Sequence, residues 1–302
     1  MKRIIMTLLL IGCFIPQSID AEEFILVSDI GTSAESIALG QVEGFSYGSN
    51  AIFENPAGLY RINQFGFSAF TTRVINEVTY TNVAIAGKTP IGTWGFGFME
   101  ATVSNIPETG RNTDGEHIVL NTFDYKSSIY KLSYQRDLSQ NLHFGTSYSY
   151  YLTKFYAVEG RGADLDAGVI YEGKDYEASV FARNLLPNNT VNYNGKAIEN
   201  LPFHLVFSAR FEYEQFEFLP QFKLVDGAGL PSFGLKAKPK HIPFITFMAG
   251  FKRHLDVTGK QHQNGSLGIG LRIYDLELHY AYERSDYVLL DHKSYFSITQ
   301  NF

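Results

Sequence analysis

The stretch LHFGTSYSYYLT, residues 142–153, alternates between large apolar side chains and small or polar ones. The even positions are Leu142, Phe144, Thr146, Tyr148, Tyr150 and Leu152, and the odd positions include His143, Gly145, Ser147 and Ser149. Because successive side chains of a β-strand point to opposite faces, this period of two predicts a strand with one apolar and one polar face. The pattern recurs in residues 203–213, 265–273 and 276–284, so the chain is predicted to be all-β.

Fourteen segments with strand character follow one another to the C-terminus. They are residues 65–72, 79–88, 93–103, 126–137, 142–154, 162–172, 175–184, 203–213, 216–225, 232–238, 243–254, 265–273, 276–284 and 292–302. Connections after odd-numbered segments include long ones such as 104–125 and 185–202, whereas those after even-numbered segments are tight, such as 173–174 and 274–275. Strict long–short alternation is typical of an antiparallel meander whose two ends face different compartments. We therefore expect a transmembrane antiparallel β-barrel of about 14 strands, with both termini on the periplasmic side.

A soluble β-sandwich also shows alternation and is the competing interpretation. A sheet that spans a membrane must close, because unpaired backbone groups in hydrocarbon are costly. In a closed barrel over residues 62–302, the apolar parity would face lipid and the polar parity would face the lumen. The chain ends in Phe302 with Phe296 and Ile298 in phase, which is similar to the C-terminal signal of outer-membrane barrels, although Gln300 departs from that phase.

Composition limits the classes of partner. The chain has 302 residues, 45% of them hydrophobic, with 25 Phe and 19 Tyr, yet its mean hydropathy is −0.10. The 25 basic and 31 acidic residues give a formal net charge of −6. No nucleic-acid partner is expected, because that affinity depends on basic surface. The single cysteine excludes a disulfide framework.

Residues 1–21 have the pattern of a cleavable secretory signal peptide. Residues 1–3 are basic, 4–15 are apolar, and 16–21 are mostly polar with a small final residue. Residues 10–13 also fit a lipobox, so a lipoprotein signal is the alternative. Cleavage after residue 21 would leave 23 basic and 30 acidic residues, a net charge of −7, and no cysteine.

Residues 22–61 do not alternate and are predicted to form a hatch that precedes the barrel. Within it, SAESIALGQ (33–41) and SNAIFENPAGL (49–59) are predicted to form short helical turns. The second turn must end near Asn55, because a residue before proline avoids helical backbone. Apolar side chains favour packing inside the lumen over a free periplasmic tail; they are Ile37, Leu39, Phe45, Ile52, Phe53 and Leu59.

The stretch SIALGQVEGFSYGSNAIFENPAGLY, residues 36–60, resembles the N-terminal signature of the PorV/PorQ family of bacterial outer-membrane proteins. That family is itself similar to the FadL-type channels for hydrophobic compounds. The most specific part is the hatch motif Asn55, Pro56, Ala57, Gly58 and Leu59, and further similar stretches lie at 132–151, 162–187 and 266–283. The resemblance implies a fourteen-stranded barrel in the outer membrane with the hatch inside the lumen. The predicted outer loops are shorter than those typical of FadL-type channels.

The sequence carries no motif of an enzyme, cofactor or metal site. The eight histidines are scattered, without the spacing of a metal-binding pair, and no Gly-x-Ser-x-Gly is present. We expect no catalysis and no cofactor. Two carboxylate pairs, Asp164 with Asp166 and Glu212 with Glu214, are interpreted as solvated charge of the interior or rim. The lumen-facing candidates, expected to line the wall or to hold the hatch, are His143, His204, Arg210, Arg272, Glu277 and His279.

Three functions are compatible with these features. The first, implied by the FadL-type resemblance, is passive transport or binding of a hydrophobic small molecule. The second, implied by the PorV/PorQ resemblance, is an accessory role in type IX-like protein secretion or surface attachment, with envelope or secretion-system proteins as partners. The third is a structural barrel without cargo. Outer-membrane lipid would surround the barrel in all three.

Overall fold

The computed structural model describes residues 30–46, 48–74, 77–187, 189–194, 197–225, 227–255, 259–286 and 293–302. The predicted signal peptide, residues 1–21, and the first hatch residues, 22–29, lie outside the described residues. Among the residues described, no helix has the length and apolar character needed to cross a membrane.

The described residues form sixteen antiparallel strands in one sheet. The strands are β1 (Phe65–Val74), β2 (Val78–Thr89), β3 (Gly92–Arg111), β4 (His117–Asp137), β5 (Leu142–Phe155), β6 (Val158–Glu172), β7 (Tyr176–Arg183), β8 (Thr190–Tyr193), β9 (Ala197–Asn200), β10 (His204–Tyr213), β11 (Phe216–Val225), β12 (Ala228–Ala237), β13 (Ile245–Leu255), β14 (Gln261–Ile273), β15 (Leu276–Ser285) and β16 (Lys293–Asn301).

Fourteen of these strands close into a barrel. Each barrel strand pairs with its neighbours in sequence, with β10 following β7, and the circle closes where β1 pairs with β16. The short strands β8 and β9 form a hairpin, which within the described residues pairs with the outer end of β6 alone, through Gly160 and Arg161. The prediction of a fourteen-stranded antiparallel barrel is therefore confirmed.

The connections at the outer end differ from the expected pattern. Residues 104–125, predicted to be a long connection, are mostly strand, because β3 continues to Arg111 and β4 begins at His117. Residues 185–202 contain the β8–β9 hairpin, and only two residues separate β5 from β6. The strict alternation of long and short connections is thus wrong in detail, although the turns at the opposite end are short as expected.

The burial of side chains is the inverse of that in a soluble protein. On β5, Ser147 and Ser149 are buried, whereas Tyr148 between them is 46% exposed. Across the barrel, the exposed set is rich in Phe, Leu and Tyr, and the buried set is rich in Ser, Thr, His and charged residues. This distribution is what a barrel with a lipid-facing outer surface requires.

Residues 30–46 and 48–62 run through the interior of the barrel. They form helix α1 (Ala34–Ala38) and two 3₁₀ helices, Gly48–Phe53 and Pro56–Arg61. Helix α1 contacts β13 to β16, whereas the second 3₁₀ helix contacts β3 to β6 on another side of the barrel. Because the segment touches separate parts of the wall and nearly all its residues are buried, it lies across the lumen.

Candidate functional site: the hatch and the lumen wall

The hatch motif is bound to the wall through Asn55. Its Oδ1 accepts a hydrogen bond from the Ala57 backbone N–H at 3.0 Å and so caps the 3₁₀ helix. Its Nδ2 donates to Ser179 Oγ at 2.9 Å and to the Val169 carbonyl at 3.3 Å. One side chain therefore shapes the turn and joins it to β6 and β7. The remaining motif residues, Pro56, Gly58 and Leu59, are buried.

Two glycines on the lumen face of the wall allow the hatch backbone to approach it closely. A Cβ at Gly145 would overlap the backbone of Pro56 and Ala57, and a Cβ at Gly250 would overlap the backbone of Gly40. Glycine in a strand often marks such an approach of a second backbone. No sequence motif marks these positions, but their parity is that of the lumen face.

Buried ion pairs hold two further points of the hatch. The Glu43 carboxylate lies 3.0 Å from the Arg183 guanidinium of β7, and both side chains are almost fully buried. The Glu35 carboxylate of α1 is bonded to the Lys236 ammonium of β12. Burial opposes ionisation of Glu35, but Lys236 and His279 outweigh it and lower the pKa of Glu35 to about 2. Removing one partner of a buried pair typically costs about 3–5 kcal/mol, so these contacts keep the hatch in position.

Glu54 is the most deeply buried carboxyl group among the hatch residues that the structure describes, with no exposed surface. It accepts hydrogen bonds from the Thr32 and Ser46 hydroxyls, both of which belong to the hatch. Burial raises its pKa to about 8 even though these hydroxyl groups act in the opposite direction. At neutral pH the group is therefore mostly protonated, and the hatch interior carries little net charge at this point.

Two of the predicted lumen-facing residues contact the hatch directly. The His143 ring stacks on the Tyr60 ring with centroids 3.7 Å apart, and His143 Nδ1 lies 2.6 Å from Asp137 Oδ1. The Arg210 guanidinium lies 5.8 Å from the centroid of the Phe45 ring, a cation–π arrangement. Both residues connect the wall to the hatch. Of the two roles expected for the lumen-facing candidates, lining the wall and holding the hatch, these contacts fit the second.

The other four candidates differ in their surroundings, and two of them also lie beside the hatch. His204 is buried, and neither ring nitrogen has a hydrogen-bond partner among the described residues. Arg272 has the lumen parity but is 53% exposed at the periplasmic rim, where it pairs with Glu277. Glu277 and His279 lie beside Glu35 of the hatch, with ligand atoms of the three residues within 4.8 Å of one another.

A small cavity of about 40 Å³ adjoins this last group. Its charged lining residues are Lys236, Lys238, Arg272, Glu277 and His279. Three cations around the cavity, and the ion pair between Lys236 and Glu35, disfavour a metal cation there. We therefore describe the group as a charged contact between hatch and wall.

Asp164 and Asp166 are buried rather than solvated, which corrects the sequence-based interpretation of this pair. Asp166 is bonded to the Lys131 ammonium, and both side chains are 1% exposed. Asp164 accepts a hydrogen bond from the Leu186 backbone N–H at 3.0 Å, which ties the connection after β7 to the wall. Asp166 and Lys131 form a buried ion pair within the wall that no sequence motif indicates. Glu212, by contrast, is exposed at the rim.

An apolar cluster joins the hatch to the wall. Its hatch members include Ile37, Ile52, Phe53 and Leu59, and its wall members include Phe70, Tyr80, Met99, Ile129 and Tyr295. The Phe70 ring lies 5.7 Å from the Tyr80 ring and 6.1 Å from the Tyr295 ring. An apolar interior surface therefore extends from the hatch to β1, β2 and β16.

The fold is similar to that of outer-membrane channels. The Pseudomonas putida toluene transporter TodX aligns with a TM-score of 0.60 and 12% identity over 90% of this chain and 99% of its own. The CymD monoaromatic hydrocarbon channel aligns with a TM-score of 0.63 and 12% identity over 93% of this chain and 99% of its own. A Pseudomonas aeruginosa FadL homologue aligns with a TM-score of 0.58 and 10% identity over 90% of this chain and 98% of its own. At 10–12% sequence identity, these structural similarities show a shared fold and nothing more.

The sequence itself matches one family. No curated protein matches the chain by sequence. Residues 125–299 match the family described as type IX secretion system membrane protein PorP/SprF, which is more than half of the chain. This match does not confirm the PorV/PorQ assignment that the hatch motif suggested. The chain is an outer-membrane β-barrel protein and belongs to the PorP/SprF family of type IX secretion system membrane proteins.

Proposed function

We propose that this protein is an accessory outer-membrane component of a type IX secretion system and engages envelope or secreted proteins at its outer end. Family membership is the observation that carries the proposal. The PorV/PorQ-like hatch motif supports the same role. The bonded, buried hatch supports it too, because a plugged barrel can hold a protein partner without opening.

The β3–β4 hairpin offers a surface for such a partner. β3 pairs with β2 only as far as Val103, and β4 pairs with β5 only from Tyr125, so beyond these points β3 and β4 pair with each other alone. The apolar side chains exposed on this extension are Ile118 at 39%, Val119 at 62% and Leu120 at 61%. Exposed apolar strand segments with open edges commonly serve as interaction sites.

The test compares charged variants at the two ends of the barrel. Val119→Asp and Leu120→Asp place charge on the hairpin, and Leu138→Asp is the matched control, because Leu138 is 59% exposed at the periplasmic end. In the bacterium that carries the gene, we expect the hairpin variants to reduce type IX secretion or surface attachment and the control to preserve it. Normal secretion in a strain that lacks the whole protein would contradict the proposal.

A second candidate function, passive transport or binding of a hydrophobic small molecule, is favoured by the apolar cluster between hatch and wall. TodX and CymD, named as a toluene transporter and a monoaromatic hydrocarbon channel, share the fold. A cargo would have to pass the hatch, because the hatch crosses the lumen. This function therefore requires the hatch to move, whereas the accessory role does not.

A cross-link that fixes the hatch separates the two functions. Ser49 Oγ of the hatch lies 2.9 Å from Ser68 Oγ of β1, so Ser49→Cys with Ser68→Cys would form a disulfide between hatch and wall. Ser133→Cys with Ser147→Cys is the matched control, because their hydroxyls lie 2.6 Å apart within the wall. If the protein transports a hydrophobic compound, the disulfide between positions 49 and 68 should block uptake of a labelled compound, and its reduction should restore uptake. The control disulfide between positions 133 and 147 should leave uptake unchanged. If neither uptake nor secretion responds to any variant, the structural-barrel hypothesis is favoured.

Two sequence-based expectations stay predictions. Residues 1–21 are proposed to be removed on export, which N-terminal sequencing of the mature protein tests. The absence of catalytic activity is tested by assaying the purified barrel for phospholipase and protease activity.

A further inference from the structure

His254 and His262 face each other across two neighbouring strands. They are direct partners in the register of β13 and β14, at the end of the pair farthest from the β14–β15 turn and hence at the outer rim. Both lie on the lumen parity, which they share with the buried residues Lys252 and Asn264. This pair is separate from the hatch contacts and from the charged group around Glu35.

The geometry of the pair matches shared coordination of a metal ion. The ring centroids are 5.7 Å apart and the ring planes are inclined by 34°. With Zn–N distances of about 2.0–2.1 Å and tetrahedral angles, two imidazoles on one zinc ion have centroids roughly 5 Å apart. A small rotation of the side chains would therefore bring one nitrogen of each ring to the same ion.

The surroundings of the rings also favour coordination. His262 Nδ1 lies 3.0 Å from Asp286 Oδ1, which in turn accepts a hydrogen bond from the Gln263 backbone N–H at 3.0 Å. A carboxylate on one ring nitrogen orients the ring and directs the other nitrogen to a metal. Both ring nitrogens of His254 are buried and have no hydrogen-bond partner among the described residues, which is costly unless a ligand satisfies them.

The nearby charges permit a cation. Lys252 lies next to the pair along β13, but its ammonium is 2.8 Å from the Glu283 carboxylate and is neutralised by it. Besides Lys252 and Glu283, the other charged group beside the pair is the Asp286 carboxylate, whose negative charge favours a cation. At the Glu35 group, by contrast, Lys236 is bonded to one of the carboxylates that a metal would need.

We propose that His254 and His262 bind a divalent transition metal of the zinc class at the outer rim, with Asp286 as the positioning residue and water completing the coordination. Imidazole nitrogen is a preferred ligand of zinc. The ion would join β13 to β14 and, through Asp286, to the connection that follows β15. Its role would be to stiffen this part of the rim.

Zinc binding by the purified, tag-free full-length protein in detergent tests the proposal. Calorimetric titration with zinc sulfate and elemental analysis after dialysis should show one zinc ion per chain. His254→Ala and His262→Ala should abolish this site, and Asp286→Asn should weaken it by roughly 10- to 100-fold. His117→Ala, at the start of β4, and His241→Ala, in the turn between β12 and β13, are exposed controls and should bind zinc as the wild type does.

A second measurement avoids dependence on the folding of the variants. In the wild-type protein loaded with zinc, X-ray absorption at the zinc edge should show two imidazole nitrogens at about 2.0–2.1 Å and oxygen from water in the remaining positions. Absence of saturable binding, or binding that survives both His254→Ala and His262→Ala, would overturn the proposal. Loss of zinc in His279→Ala alone would place the ion at the Glu35 group and overturn it equally. None of these measurements depends on the proposed role in secretion.

Discussion

At the scale of single residues, the wall accommodates the hatch by omitting side chains where the two backbones meet. Gly145 on β5 is such a position, because the second 3₁₀ helix lies directly over it. The neighbouring lumen positions of β5, Ser147 and Ser149, carry small hydroxyls and are also buried. At Gly145, the approach of the hatch backbone therefore leaves no room for a side chain.

Replacing Gly145 should disturb the hatch more than the barrel. The new methyl group of Gly145→Ala would overlap the backbone of Pro56 and Ala57, so we expect overpacking to cost about 1–3 kcal/mol. The midpoint of urea unfolding should fall accordingly. Gly265→Ala is the control, because its methyl group would meet no atom within 4 Å. Equal midpoints for the two variants would contradict the close contact between hatch and wall.

Glu54 should make the hatch less stable as the pH rises. Burial raises its pKa from the ordinary 4.5 to about 8, so the folded hatch binds the proton more tightly than the unfolded one. The stabilising contribution is complete below about pH 4.5 and is lost as the pH rises to about 8. Unfolding of the wild type and of Glu54→Gln, which does not titrate, should be measured from pH 5 to pH 9. The wild-type midpoint should fall relative to that of Glu54→Gln, and parallel profiles would contradict the assignment.

The sequence predicts which residues face the lumen but not which of them pair. Parity alone places His143 and Arg210 inside, because the side-chain period of a strand is fixed at two. The ion pair of Glu43 with Arg183 joins residues 140 positions apart. Such a pair depends on how the irregular hatch crosses the lumen, and no periodic pattern encodes that path.

At the scale of elements, the sequence predicts strands well where one face is apolar and poorly where both faces meet water. The fourteen barrel strands alternate because one face contacts lipid and the other the lumen. The outer parts of β3 and β4 contain no buried side chain, so no apolar face marks them as strand. β8 and β9 lie within residues 185–202 and have only four residues each, which is too short for a period of two to identify them.

The β3–β4 hairpin should be cleaved by protease from outside the cell. Arg111 is exposed at its tip, and Lys174 is exposed in the short turn between β6 and β7 at the opposite end. In intact cells, trypsin should cleave after Arg111 and spare Lys174, because the outer membrane separates them. Permeabilised cells provide the control, in which Lys174 becomes accessible too. Cleavage at Lys174 in intact cells would reverse the proposed orientation.

At the scale of the whole molecule, the closed barrel explains why a chain that is 45% hydrophobic has a mean hydropathy of only −0.10. The apolar residues lie on the outer face, the polar residues lie inside, and averaging the two gives a mean hydropathy near zero. The barrel could be predicted, because the period of two is visible in the sequence and a sheet that spans a membrane must close. The choice between a docking role and a transport role depends on whether the hatch moves, which the pattern does not encode.

Amide hydrogen exchange of the full-length protein in a lipid nanodisc tests most directly whether the hatch is a stable plug. The hatch amides of Glu54, Gly58 and Ile62 donate backbone hydrogen bonds within a buried segment, so they should exchange as slowly as barrel amides. Residues 112–116 at the tip of the β3–β4 hairpin should exchange fast. If the hatch amides exchange as fast as that tip, the segment does not plug the lumen, and the account is wrong.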